Sequence, residues 1–206
     1  MPKHVDPAAR RAEIVDAYLR IVSRSGIAAA TSRALAAEAG ISAGALWHYF
    51  DGYAEVVDAA FQRVYDQTNA RIAAATHGRR GLDALDAMIL DILPLDSRTR
   101  DEAAIVVSFW GLLPAHAEFR AHTRTVEEDW GRQVRTHLRE AIHDGALDAG
   151  TPVEQLTDAL LSVFEVLQLR EVQESAVASP ERQRALIDQL LRPWAVGAVG
   201  SRESTR

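Results

Sequence analysis

The sequence predicts an all-α protein: a three-helix helix-turn-helix unit at its start, attached to a larger helical body, about nine helices in all. Three observations carry this. Apolar residues recur at spacings of three and four along almost the whole chain, with no run alternating as a half-buried strand does. Cap residues and glycines mark two short helices joined by a tight turn within residues 31–50. Beyond residue 53, proline and glycine separate long helical segments, with no long linker, internal repeat or low-complexity tract.

The elements follow in order. In "PAARRAEIVDAYLRIVSRSG", Ile14, Ala17, Tyr18, Ile21 and Val22 form one stripe and Gly26 supplies a stop, which gives a helix over about 7–25. Thr31 or Ser32 caps a second helix whose inner face is Leu35, Ala36 and Ala39, ended by Gly40. Ser42 caps a third, with Leu46 and Phe50 one turn apart on its inner face. A long fourth helix is predicted over 53–75, with Val56, Val57, Ala60, Phe61 and Val64 inward. Further helices are predicted at about 81–93, 99–113, 115–143, 152–173 and 180–194, and residues 201–206 read as a frayed tail. The domains are therefore 1–52, a head, and 53–200, a body.

Composition narrows the function. A chain of 206 residues with 48% hydrophobic and 25% charged content is an ordinary globular protein. It holds no cysteine, which removes disulfides, thiolate zinc sites and cysteine nucleophiles. Met1 is followed by no apolar signal region, and no later segment has 18 uninterrupted apolar residues, so a cytoplasmic location without membrane contact is expected. The net charge of −6 hides an asymmetry: residues 1–50 carry +2 and the remainder −8. A small nucleic-acid-binding module on an acidic body has that distribution.

Two short helices joined by "AGIS" make a helix-turn-helix. Small Ala36 allows close approach, Gly40 permits a positive φ, and Ile41, Leu46 and Phe50 plug the shared core. Ala43, Gly44, Trp47 and His48 then lie on the outer face of the third helix, where small residues let backbone and methyl groups approach base edges. An ordinary helical hairpin with a few exposed residues satisfies the same pattern.

The stretch "TSRALAAEAGISAGALWHYFDGYAEVVDAAF" (31–61), preceded by an amphipathic helix of suitable length, resembles the DNA-binding domain of the TetR family of bacterial repressors. The resemblance implies that Thr31, Ser32 and Arg33 touch phosphate or an adjacent base. Ser42, Ala43, Gly44 and Ala45 would enter the major groove, and Trp47, His48 and Tyr49 would contact the backbone and nearby bases. Alanine can recognise only a thymine methyl, so base-specific hydrogen bonds fall to Arg33, Ser42 or His48, with Arg33 the choice for guanine. The family usually has a lysine where the fourth helix begins; Tyr53 stands there instead, able to hydrogen-bond phosphate without releasing a counterion. Lys3, Arg10 and Arg11 are the candidates to supply the missing charge.

For the body, the resemblance implies dimerisation and effector binding. "LTDALLSVFEVLQL" (156–169) is apolar on nearly all sides, and with "RALIDQLLRPW" (184–194) it resembles the family's last two helices, which build a four-helix interface. The candidates are Leu156, Leu160, Val163, Leu167, Leu186, Leu190 and Trp194. A homodimer then requires a palindromic double-stranded DNA operator. Met88, Phe109, Trp110, Phe119, Trp130 and Phe164 fall on the helices that usually enclose the family's cavity, where aromatics suit apolar or cationic effectors; the same residues also suit plain core. Glu165, set in an apolar helix, is a candidate partner for a cation. "LPLDSRTRDEAAIVVSFWGLL" (93–113) resembles the betaine-synthesis regulators, a choline-responsive branch of the family.

No catalytic or metal site is expected. His116 and His122, like His137 and His143, are six apart, which sets each pair about 240° apart around a helix. No nucleophile-elbow pattern accompanies any Ser-His-Asp set. The sequence reads as a DNA-binding regulator, most simply a repressor released by a small-molecule effector, with no cofactor; the alternative is a DNA-binding or interaction module without ligand control. When bound to DNA it would be nucleoid-associated.

Overall fold

The computed structural model describes residues 6–114 and 116–197, so Lys3 and the 201–206 tail lie outside the described residues. Among the described residues the fold is all-α, with one isolated antiparallel bridge between Leu147 and Ala195.

Local chemistry sets the ends of the first helices. α1 (Pro7–Ser25) has Pro at its first position, where the missing N–H costs nothing, and Asp6 accepts from the Ala8 N–H at 3.0 Å. It stops at Gly26, whose φ of 76° a side chain would strain. α2 (Ser32–Glu38) is capped by Thr31, which accepts from the Ala34 N–H at 3.2 Å. Gly40, at φ 66°, makes the turn. α3 (Ala43–Leu46) is capped by Ser42, which accepts from the Ala45 N–H at 3.2 Å.

The third helix is shorter than the sequence predicts. After Leu46 the chain tightens into three-residue turns, His48 N–H to the Ala45 carbonyl and Tyr49 N–H to the Leu46 carbonyl. Phe50 still reaches the core, 2% exposed, because the turn advances it inward rather than continuing the helix.

The remaining helices are α4 (Tyr53–Thr76), α5 (Gly81–Ile92), α6 (Ser97–Trp110), α7 (Ala117–His143), α8 (Val153–Val172) and α9 (Pro180–Leu191). α6 begins two residues before the predicted start because Asp96 and Thr99 form a reciprocal capping box. It ends at Trp110, and the chain turns through Pro114. α9 gives way to a single 3₁₀ turn at Arg192–Trp194, since Pro193 cannot continue the α ladder.

Two apolar cores result. One joins α1, α2, α3 and the first half of α4 to Ile105, Phe109 and Phe119 of the body. The other unites Ile72 of α4 with α5, the later part of α7, α8 and α9. The predicted boundary at residue 52 is thus crossed by continuous packing along α4.

Candidate nucleic-acid interface and body cavity

The helix-turn-helix is held from beneath by completely buried side chains. Leu35, Leu46 and Tyr18 are each 0% exposed; burying a leucine is worth roughly 1.5–3 kcal/mol. The outer surface carries the residues predicted to face DNA. Thr31, Arg33, Ser42, Ala43, Gly44, Trp47 and His48 are exposed, while Ser32, Ala45 and Tyr49 are half-buried. Trp47 is the large apolar side chain of this face, 41% exposed.

Most of the head's positive charge is spent internally. Arg10 pairs with Glu13 and donates to the Ala39 carbonyl at 3.2 Å. Arg20 and Arg24 both bind Glu38, at 3.0 Å each, and hold its carboxyl below the usual range. Arg11 donates to the Tyr49 carbonyl, pairs with Glu55 at 2.7 Å and lies 4.2 Å above the Phe50 ring. Arg10 and Arg11 therefore brace the head rather than reach outward for phosphate. Of the arginines in residues 6–52, Arg33 alone has no acidic partner among the described residues.

Tyr53 departs from its predicted role in the same way. Its hydroxyl donates to the Ala30 carbonyl, and its ring packs edge-on against Tyr18 at 6.2 Å. The phenol pins the first residue of α4 to the segment before α2, and its proton is not free for phosphate.

Glu55 is the electrostatic knot of this region. The Arg11 guanidinium and the Asp51 N–H, 2.6 Å away, hold its carboxyl below its ordinary value of 4.5. A carboxylate with a depressed folded-state pKa contributes stability that is complete above its unfolded value and lost as pH falls through the folded one. Wild type should therefore lose stability below pH 4.5 more steeply than Glu55→Gln. Because Glu55 is about a third exposed, the difference is about 1 kcal/mol or less. Thermal unfolding from pH 7 to 3.5 checks it; parallel curves would remove the carboxylate from the argument.

The body contains a cavity walled by five helices. α4 contributes Phe61 and Tyr65, α5 Asp91 and Ile92, α6 Trp110, α7 Trp130, and α8 Phe164, Glu165 and Gln168. It lies at the seam of the two cores, since Phe61 belongs to one and Phe164 to the other. Its volume is about 70 Å³, room for on the order of five waters or one small organic molecule of similar size. Trp130 is fixed by donating to Asn69 at 2.9 Å, and Tyr65 donates to Asp129 at 2.6 Å. Burial, and then that bond, push the Tyr65 phenol up to about 12.

Trp110, Trp130, Phe164 and Glu165 are thus brought together as predicted; Met88, Phe109 and Phe119 are not. Met88 and Phe109 are 0% exposed and Phe119 2%. Phe109 stacks on Phe61 at 3.9 Å and on Phe119 at 4.9 Å, so these two rings back the wall without forming it. Sequence reasoning missed Phe61, Tyr65, Glu127 and Gln168 as wall residues. Spacing could have flagged them, because Phe61, Tyr65 and Thr68 share one face of α4, as Leu161, Phe164, Glu165 and Gln168 share one face of α8.

Four carboxylates line the cavity in two different states. Asp91 and Glu102 are neutralised: Arg71 reaches them at 3.2 and 2.7 Å, and Arg98 adds contacts at 3.3 and 3.8 Å. Glu127 and Glu165, at the exposed rim, have no cationic partner among the described residues. Desolvation, and then the neighbouring Glu127 charge, push the Glu165 carboxyl up.

The candidate dimer residues divide. Leu156, Leu160 and Leu167 are between 0 and 5% exposed and belong to the protomer's own core, so they are not surface residues. Val163, Leu190 and Trp194 are half-buried against it, and Leu186 is exposed. The outward face of α8 instead carries Val166, Leu169 and Val172, at 49, 39 and 46% exposure.

A helix-turn-helix head on a cavity-bearing helical body defines a class, that of the DNA-binding regulators, and comparison with known proteins specifies it. Residues 14–60 match the model of the tetR family of bacterial regulatory proteins, and residues 81–193 that of the BetI-type transcriptional repressor C-terminal domain. The chain belongs to the TetR family of transcriptional regulators. Among curated relatives, the transcriptional regulator BetI of Rhizobium meliloti is 25% identical over 192 residues, covering 91% of this chain and 90% of that protein. The regulator PksA of Bacillus subtilis is 31% identical over 110 residues, 53% of this chain and 54% of its own length. A regulator from Saccharomonospora viridis solved in complex with choline superposes with a TM-score of 0.80 at 17% identity, over 88% of this chain and 95% of that one. These relatives are regulators, not enzymes.

Proposed function

We propose that this protein is a homodimeric repressor that binds a palindromic operator and is released when a small organic cation enters the body cavity. The observation that carries the effector class is the pairing of Trp110, Trp130, Phe61 and Phe164 with two rim carboxylates, Glu127 and Glu165, that have no counter-charge among the described residues. Aromatic faces and unpaired carboxylates attract the same ligand, a cation of low hydration energy. The choline complex of the Saccharomonospora viridis regulator supports that class. Release requires that the cation prefer the conformation in which the two heads are wrongly spaced for successive major grooves. A ligand at the seam between the head's core and the body's core is well placed to bias their relative position.

The test uses DNA selected by this protein from a random pool. Choline should lower the fluorescence anisotropy of the complex and raise the melting temperature of the free protein. The double variant Glu127→Gln, Glu165→Gln should lose about tenfold in choline affinity, from roughly 0.5–1 kcal/mol for each rim charge. DNA binding that no organic cation relieves would point to a module without ligand control.

Dimerisation is assigned to the exposed strip of α8 and α9, Val166, Leu169, Val172 and Leu186. Val166→Asp with Leu169→Asp should give a helical monomer in analytical ultracentrifugation, because neither side chain supports its own fold. An unchanged dimer would place the interface elsewhere.

A further inference from the structure

The described part of the head carries no net charge. Residues 6–52 hold five arginines and five carboxylates, with histidine counted as neutral. Non-specific affinity for DNA comes almost entirely from cations that displace counterions from phosphate. The placement of these five arginines therefore decides how the head meets DNA of the wrong sequence.

Four of the five have a carboxylate partner. Arg20 and Arg24, one turn apart on α1, both close on Glu38, the last residue of α2. They are the outer members of that cluster, with side chains 55 and 61% exposed against 23% for Glu38. Arg10 pairs with Glu13 and donates to the Ala39 carbonyl, in the turn that leads into α3. Arg11 pairs with Glu55 and donates to the Tyr49 carbonyl, just beyond α3. The ion pairs thus frame α3 at both ends. A guanidinium in this frame must give up a carboxylate to take a phosphate, which exchanges one ion pair for another and leaves the acid facing like charge. Contacts made by α3 in the groove carry no such penalty.

We propose that Glu13, Glu38 and Glu55 are specificity-determining residues that act by restraint: they hold four arginines back from phosphate, so that DNA of the wrong sequence binds weakly and the operator is taken mainly through groove contacts. This rests on the reading of the chain as a dimeric DNA-binding protein. With one arginine left in each head, the log of the affinity falls against the log of the salt concentration with a slope of about −2, and Lys3 of each head brings it to about −4. Phosphate pairing by all five arginines of each head would give about −9. The electrostatic part is what right and wrong sequences share, so reducing it widens the ratio between them.

Fluorescence anisotropy of the full chain tests this, with a duplex selected from a random pool and a scrambled duplex of the same length, between about 50 and 300 mM salt. Wild type should show a slope between about −2 and −4 on the selected duplex. Glu38→Gln frees two arginines in each head; it should bind the scrambled duplex roughly tenfold more tightly at the lowest salt and steepen the slope by about 2–4. Adding Arg20→Gln and Arg24→Gln to that variant should restore the wild-type values, which separates the arginines from a mere loss of negative charge. Glu13→Gln, which frees Arg10 at an exposed site, should move binding in the same direction if Glu38→Gln unfolds. A wild-type slope steeper than about −4 overturns the inference and leaves DNA binding standing. So does a folded Glu38→Gln or Glu13→Gln that binds the scrambled duplex no better than wild type, or a triple variant that binds the selected duplex less well. Binding to no DNA at all overturns both.

Discussion

Gly44→Glu is expected to abolish specific DNA binding while leaving the fold at least as stable as the wild type. Gly44 is the second residue of α3 and is exposed, and a Cβ built there meets nothing within 4 Å. A side chain at a helix position of ordinary φ gains roughly 0.5–1 kcal/mol over glycine through lower backbone entropy. A carboxylate in the first turn is also favoured by the helix dipole. The same carboxylate stands on the face that the small residues Ala43, Gly44 and Ala45 keep low, where it meets phosphate charge and prevents close approach. At about 1–3 kcal/mol for each disrupted base position, both heads of a dimer together lose about 2–6 kcal/mol, or roughly 30-fold to more than 10⁴-fold in affinity. Anisotropy with selected DNA, alongside thermal unfolding, separates the two effects. Normal DNA affinity in a folded Gly44→Glu protein would move the reading face away from α3.

Phe50→Ala should act through the opposite route, destabilising the head by about 3–5 kcal/mol, the cost of truncating a buried phenylalanine. Phe50 is 2% exposed within the core shared by α1, α2 and α4, and its ring is the platform for Arg11. Losing the ring opens a cavity and frees the guanidinium that holds the Tyr49 carbonyl and Glu55. A loss of this size is a large share of a domain's whole stability. Chemical denaturation monitored by tryptophan fluorescence reads it, since Trp47 lies three residues away. A cost below about 1 kcal/mol would mean that the turn after α3 is held by the backbone alone.

These two variants divide the stretch "GISAGALWHYF" into parts with separate duties, and most of that division is legible in the sequence. Gly40, Ser42, Leu46 and Phe50 act through turn geometry, capping and burial, which depend on residue type and spacing. What the spacing could not show is how far the helical ladder extends. Past Leu46 the chain adopts tighter turns, and the backbone carbonyl of Tyr49 becomes an anchor for Arg11 on another helix.

The body was legible as a set of helices and much less so as a set of faces. α8 is apolar on nearly every side, so periodicity has no stripe to choose; its neighbours in the fold decide that Leu156, Leu160 and Leu167 face inward and Val166, Leu169 and Val172 outward. The same holds for the aromatics: Phe109 and Trp110 are adjacent in sequence, yet one is stacked in the core and the other lines the cavity.

Charge followed the same rule. The sequence shows an excess of arginine in the first 50 residues, and only the folded head reveals that Arg10, Arg11, Arg20 and Arg24 pair with Glu13, Glu55 and Glu38, leaving Arg33 without an acidic partner among the described residues. By itself, then, the sequence determined the number and order of the helices and the turn and caps of the helix-turn-helix head, because these follow from contacts within a few residues, although not the length of the third helix or the cap of α6. The tertiary structure decided which side of each helix is core, cavity or surface, and which ionic groups remain free, because those depend on partners dozens of residues away.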